Sequence, residues 1–248
     1  EGTNKLGVMN FTWNNGTSLL APAYEDSLVL MFNFDDYTGL NDTSRYGNNG
    51  TATGAIFNTT GKYGGAYSFD GTGDYITIAD NPQLDFNSNQ YTFSVWLKPN
   101  VSFDNAQIIS RDDGGANRLM LFRINDASGT ICFIVSTTGA SWDIDPCTSA
   151  GVAPVGSWTH IVTTFNSSDG GKIYVNGVLN GTDAIWTGNV STGTNQMVIG
   201  ASNIGGSSWN GLMDEVRIYN RSLSALEVEQ IYKSNLAKVN STRWIFQS

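Results

Sequence analysis

The chain has 248 residues and a net charge of −9, from 13 basic and 22 acidic side chains. Only 14% of its residues are charged, while 12% are aromatic and 28 are glycine. An acidic chain lacks the basic surface of a nucleic-acid binder, this one is too aromatic for a disordered tail, and it holds no run of 18 apolar residues for a transmembrane helix.

Taken in chain order, residues 1–27 form an extension in which Met9, Phe11 and Trp13 alternate with Asn10 and Thr12, a strand-like pattern. From Leu28 onward, short runs rich in β-branched and aromatic residues alternate with Gly, Asn, Asp and Ser clusters. Such runs fall at 28–34, 75–78, 91–97, 118–124, 130–136, 158–165, 172–175, 196–199 and 215–219. Each has strand length and is bounded by turn residues. Asn176-Gly177 between two such runs predicts a tight hairpin with a type I′ turn. Many short strands at regular spacing predict an antiparallel sandwich or barrel, which at this length forms one core.

One helix follows. Ser224-Ala-Leu-Glu227 is a capping box, with acids in the first turn and Lys233 near the end. It is expected to close one edge of the sandwich. Residues 234–248 make a second extension, in which Trp244 and Phe246 alternate with Arg243 and Ile245. The extensions either add strands to their own sandwich or complete a neighbouring subunit, a route to self-association.

Asparagine, threonine and serine carry most of the polarity, at 26, 24 and 24 residues. Eleven Asn-x-Ser/Thr sequons occur: Asn10, Asn15, Asn41, Asn49, Asn58, Asn100, Asn166, Asn180, Asn189, Asn220 and Asn240. Random placement gives about five. A turn-rich composition inflates the count, but the spread along the chain favours a secreted glycoprotein at the cell surface. Cys132 and Cys147 flank a hairpin-like stretch with its turn near Gly139. In an exported setting they are expected to form a disulfide; the alternative is two buried thiols. Their spacing does not suit zinc or thioredoxin chemistry.

His160 is the one histidine and sits inside a strand pattern, where a structural role is the ordinary one. No serine lies in a nucleophile motif. Asp143 and Asp145 alternate on one face of a strand, which mimics a carboxylate pair. Pro146 interrupts that strand, and exposed acids are the simpler reading. Trp142, Trp186 and Trp209 lie in polar, turn-rich contexts, unlike Trp96 and Trp158. They are either platforms for carbohydrate rings or packing partners under loops.

Three segments resemble a known family: residues 63–76 (YGGAYSFDGTGDYI), 93–99 (FSVWLKP) and 211–224 (GLMDEVRIYNRSLS). They are similar to the laminin-G-like, concanavalin A-like lectin/glucanase jelly rolls. The likeness runs over 28–233 and leaves 1–27 and 234–248 as extensions without a counterpart. It implies an all-β, two-sheet antiparallel jelly-roll sandwich with one short C-terminal helix. It also implies a structural calcium ion, with Asp214 as the matching ligand. Asp35, Asp70 and Asp74, at strand ends, are the candidates to share that ion. The alternative is that Asp214 caps a turn. The Glu-rich catalytic pattern of the family's glucanases is missing. The expected function is non-catalytic adhesion or assembly at an extracellular surface, as a surface-layer or filament subunit. A carbohydrate-binding module is the alternative, and a glycoside hydrolase comes last.

Overall fold

The computed structural model describes residues 26–35, 37, 40–86, 89–102, 105–112, 118–183, 190–202 and 207–233, and outside them the backbone of four strands. In chain order the first strands are β1 (Asn10–Thr12), β2 (Ser18–Leu20), β3 (Leu28–Phe32), β4 (Gly50–Thr53), β5 (Ile56–Asn58), β6 (Ala66–Asp70) and β7 (Tyr75–Ile78). A 3-10 turn at Pro82–Leu84 leads into β8 (Gln90–Pro99), β9 (Ala106–Asp112), β10 (Arg118–Ile124) and β11 (Ile131–Val135). Then come β12 (Thr159–Asn166), β13 (Gly170–Val175), β14 (Val178–Thr182), β15 (Met197–Ile199) and β16 (Asn210–Tyr219). Helix α1 (Ala225–Lys233) precedes β17 (Asn235–Asn240) and β18 (Arg243–Gln247).

Two antiparallel sheets enclose the core. The larger has the order β14-β13-β12-β8-β16-β6-β5, and the smaller β11-β10-β9-β15-β7-β4. Strand β3 also pairs with β16, beyond the end of β6. The β13–β14 hairpin turns at Asn176 and Gly177, with φ of 49° and 80°. Two successive positive φ angles are what a type I′ turn demands, and they match the right-handed strand twist.

Along β8, Tyr91, Phe93, Val95 and Leu97 face the core, as a period of two requires. The Tyr91 and Phe93 rings pack with each other and with Phe133 and Phe165 at centroid distances of 5.0 to 5.8 Å. Nearly all of β8 is buried on both sides, because its outer face is also covered. The cover is α1, whose Val228 and Ile231 pack on Leu28, Met31, Val162, Tyr174 and Tyr219. The helix therefore lies on the outer face of the larger sheet and reaches its edge strand β14. The capping box forms as expected: Glu227 N donates to Ser224 Oγ and Ser224 N donates to Glu227 Oε2.

Arg111 is a second fixed point. Its guanidinium is buried and donates to the carbonyls of Leu84, Gly193 and Asn195 and to Asp80 and Asp85. A buried charge is tolerable when all its donors are used.

The two extensions fold on themselves. β1 pairs with β2 and β17 pairs with β18, each as a separate two-stranded sheet. Among the described residues no pairing joins them to the sandwich.

Candidate functional site

The outer flank of β16 is shared by two strands. Met213 stands opposite Tyr67 of β6, and Val216 opposite Phe32 of β3. Between these pairings β16 bulges: Asp214 pairs with Trp96 and Arg217 with Ser94, so two residues oppose Val95. A bulge inserts one residue and re-aims side chains. Met213 and Val216 both reach the core, which leaves Asp214 and Glu215 on the outer side. Simple alternation predicts opposite faces for these two acids, and the bulge corrects it. Glu215 has φ of 53°, a strained position for a residue with a Cβ.

The end of β3 meets the start of β6 at this level. Phe34 has φ of 50° and precedes Asp35. Asp35 Oδ1 accepts the Gly65 N–H at 3.1 Å, and Asp214 Oδ2 accepts the Tyr63 N–H at 3.0 Å. Both carboxylates thus hold the loop 61–65. That loop requires glycine at two positions. Gly64 has φ of 62°, and a Cβ there would lie 2.0 Å from Asp35 Oδ1. A Cβ on Gly65 would lie 2.3 Å from the Phe34 carbonyl oxygen.

Asp214 is fully buried, and the ion pair of the neighbouring Arg217 is with Glu215. Burial pushes the Asp214 carboxyl well above the usual carboxylate range, and the charges of Glu215 and Asp35 push the same way. Burial also raises Asp35. Asp214 is buried and Asp35 exposed, the Asp35 charge raises Asp214, and the Phe34 and Gly65 carbonyl oxygens lie in the same junction, so the donors here are hard oxygens of the kind calcium takes. These residues offer such an ion two carboxylates, and its charge would offset the burial of Asp214.

Asp70 and Asp74 do not share this place. They lie at the far end of β6, about 13 Å away at ordinary strand rise. There Asp74 Oδ2 accepts the Asp70 N–H and Asp70 Oδ1 accepts the Thr72 N–H, which ties off a turn.

Over the same face, Lys62 Nζ sits 4.5 Å from the Trp96 ring centroid, and Tyr63 meets that ring edge-on. Trp96 points away from the core, a placement its strand context hid. His160 lies beneath, 5.0 Å from Trp96 and 5.9 Å from Tyr232. Its Nε2 is 2.9 Å from Ser94 Oγ. Burial lowers the imidazole to about 3. Nδ1 has no hydrogen-bond partner, so no carboxylate orients the ring as a Ser–His–acid triad requires. Ser94 and His160 form a buried hydrogen-bonded pair.

A second, more open feature lies over the smaller sheet. Cys132 and Cys147 are joined by a disulfide, S–S 2.01 Å. It straps residues 143–148 along the outer flank of β11, where Phe133 N donates to Pro146 O and Val135 N to Ile144 O. Trp142 is half-buried against Leu121, Cys132 and Ile134, and the Arg118 guanidinium lies 5.5 Å from its ring centroid. Asp143 accepts from Thr137 and Ser141 beside it. These hydrogen bonds outweigh burial and hold its carboxyl below the usual range. Asp145 differs: its backbone N–H donates to Asp183 Oδ2, its Oδ1 lies 3.3 Å from Cys147 Sγ, and burial raises its carboxyl. The two acids are thus held by different partners.

Trp209 corrects its expected placement. It is fully buried in the core cluster and offers no face to a ligand. Its backbone N–H donates to the Gly200 carbonyl just before β16. Trp186 lies outside the described residues. Of the sequons, Asn41, Asn49, Asn100 and Asn180 are exposed, and Asn58, Asn166 and Asn220 half-buried. The side chains of Asn10 and Asn240, and all of Asn15 and Asn189, lie outside the described residues. Sequence reasoning missed Lys62, Tyr63 and Arg118. Three glycines within residues 61–65 were the available signal for the first two.

Comparison with known proteins agrees with this architecture. A model of the concanavalin A-like lectin/glucanases superfamily matches residues 70–229, more than half of the chain. No curated protein matches the sequence. Among solved structures, the binding domain of Paraclostridial Mosquitocidal Protein 1 is 18% identical with a TM-score of 0.70, over 85% of this chain and 54% of that one. The botulinum neurotoxin serotype G binding domain is 18% identical with a TM-score of 0.67, over 83% of this chain and 50% of that one. The chain thus spans about half the length of these toxin domains. Domain 4 of AbnA, an extracellular arabinanase from Geobacillus stearothermophilus solved with arabinotriose, is 23% identical with a TM-score of 0.62, over 83% of this chain and 98% of that one. These neighbours are carbohydrate- or receptor-binding domains, and likeness at this identity speaks for the fold. On the match to its family model, the chain belongs to the concanavalin A-like lectin/glucanase superfamily.

Proposed function

We propose that this is a non-catalytic extracellular adhesion domain that binds carbohydrate at the Trp142 loop. One observation carries the reading: Trp142 is a half-exposed ring backed by Arg118, on a loop strapped by a disulfide and lined by Thr137, Ser141 and Asp143. A fixed indole beside hydroxyl and carboxylate groups is suited to stacking on a sugar ring while its hydroxyls are hydrogen-bonded. Glycan-array screening followed by calorimetry tests this. The expected result is a hit whose affinity falls at least about tenfold in Trp142→Ala, or about 1.4 kcal/mol. No hit, or unchanged affinity in the variant, overturns it. Calcium at Asp35 and Asp214 is part of the same reading and orders the loop 61–65.

One observation supports assembly as a second role. Each extension forms an isolated two-stranded sheet, which is marginal in water by itself. Addition of a neighbour's strand would complete it, as in a surface layer or filament. Deleting residues 1–27 is expected to reduce the native particle size; unchanged assemblies would reject this role.

A further inference from the structure

The two sheets have five flanks, and among the described residues two of them are sealed. Strand β11 is sealed by the strap 143–148. Strand β3 is sealed by the loop that follows it: Thr43 N donates to Met31 O at 2.9 Å, Met31 N to Asp42 Oδ1 at 2.8 Å, and Asn48 Nδ2 to Val29 O at 2.7 Å. The other three, β14, β5 and β4, end their sheets. Among the described residues no backbone hydrogen bond reaches the outer flank of β14 or β5, and β4 has one, from Gly50 N to Leu40 O.

Open flanks template pairing with another chain, and exposed apolar side chains sharpen that hazard. Here the two coincide. Ile56 on β5 is 66% exposed, and Val178 and Leu179 on β14 are 69% and 48% exposed. Charged residues are the usual guard, yet β4, β5 and β14 contain no Lys, Arg, Asp or Glu.

Each open flank instead carries a sequon. Asn58 ends β5, Asn180 lies within β14, and Asn49 directly precedes β4. Neither sealed strand contains one. In all three the side-chain oxygen is anchored. Thr60 N and Oγ1 donate to Asn58 Oδ1 at 2.8 and 2.5 Å, Ser149 N to Asn180 Oδ1 at 2.8 Å, and Asp42 N to Asn49 Oδ1 at 2.9 Å. The amide nitrogen, the atom that carries an N-glycan, is therefore not the one committed. Asn100 differs, since its Nδ2 donates to Asn210.

We propose that N-linked glycans at Asn58, Asn180 and Asn49 cover the three open flanks and prevent edge-to-edge pairing of the sandwich. The proposal rests on the reading of an exported glycoprotein, and its failure is separable from failure of that reading. The test uses the full chain from a secretory host that N-glycosylates. Glycopeptide mass spectrometry reads occupancy. Light scattering then compares untreated protein, protein trimmed by an endoglycosidase, and the sequon-breaking variants Thr51→Val, Thr60→Val and Thr182→Val combined. Ser168→Ala and Ser222→Ala serve as controls that break the sequons of Asn166 and Asn220. The expected result is occupancy at the three sites, and a rise in mean mass for both the trimmed protein and the combined variant but not for the controls. Trimming leaves the sequence intact, so a folding defect of the variant cannot imitate the effect. Bare Asn49, Asn58 and Asn180 beside occupied sequons elsewhere, or unchanged mass after trimming, overturns the proposal alone. Bare asparagine at every sequon overturns the exported-glycoprotein reading as well.

Discussion

Trp96 and Trp142 are both tryptophans on the outside of a sheet, and their surroundings differ in kind. Trp96 is roofed by Lys62, Tyr63 and Tyr232 over a sheet whose polar groups, Ser94, His160, Glu215 and Arg217, are paired with one another or stacked. Trp142 has one neighbouring cation and an open side. Their acids follow suit. Asp214 is held up by burial, whereas Asp143 is held down by hydrogen bonds near solvent. The difference teaches that aromatic richness alone does not mark a binding surface. The surface proposed for binding has instead a half-buried ring beside polar groups near solvent.

The sharpest way to break this contrast is to truncate tryptophans. Trp209→Ala empties a fully buried site and is expected to cost about 3–5 kcal/mol of stability, while Trp142→Ala costs well under half of that and removes ligand binding. Denaturant unfolding with calorimetry of binding reads both. Equal destabilisation by the two would place Trp142 in the core class.

Next in size is the strap. Loss of the Cys132–Cys147 bond is expected to cost about 3 kcal/mol for a loop of 15 residues, and to weaken glycan binding by loosening the Trp142 loop. Reduction followed by thermal unfolding checks it. The junction at Asp214 responds to metal instead. Calcium at 100 times its dissociation constant is expected to add about 2.7 kcal/mol, a gain that vanishes in Asp214→Asn. An unchanged melting temperature with chelator would argue against the ion.

Acid gives a smaller effect. His160 stays neutral in the fold down to about 3, whereas in the unfolded chain it takes a proton near 6.5. The folded state therefore binds fewer protons between these values. Stability is complete above about 6.5 and is lost as pH falls toward 3, by about 2 kcal/mol between pH 7 and 5. Raised Asp214 works in the opposite sense in metal-free protein, so the slope is measured with and without His160→Gln. The smallest effect belongs to Arg118→Ala, which removes one exposed cation–π contact of about 0.5–1 kcal/mol. It should weaken binding with little change in melting temperature.

Much of the fold was legible because its signals are local. The Asn176-Gly177 turn, the period-two pattern of β8 and the Ser224–Glu227 capping box each depend on residues within one element, and each formed. The site was legible only in part. Asp214 and Asp35 were both named, yet 179 positions separate them, and nothing in the sequence distinguished Asp35 from Asp70 or Asp74. Trp209 was misplaced because a polar neighbourhood in sequence says little about which way a chain enters the core.

The sequence by itself determined the all-β class, the strand periods, the disulfide partners and the positions open to glycosylation, since each follows from residue type and short spacing. Tertiary structure decided that α1 covers a face, that β3 and β6 share one flank of β16, and that a bulge turns Glu215 outward beside Asp214. Those outcomes depend on which strands become neighbours. Sheet pairing is a competition among distant segments for the same hydrogen bonds, and no local pattern records who wins it.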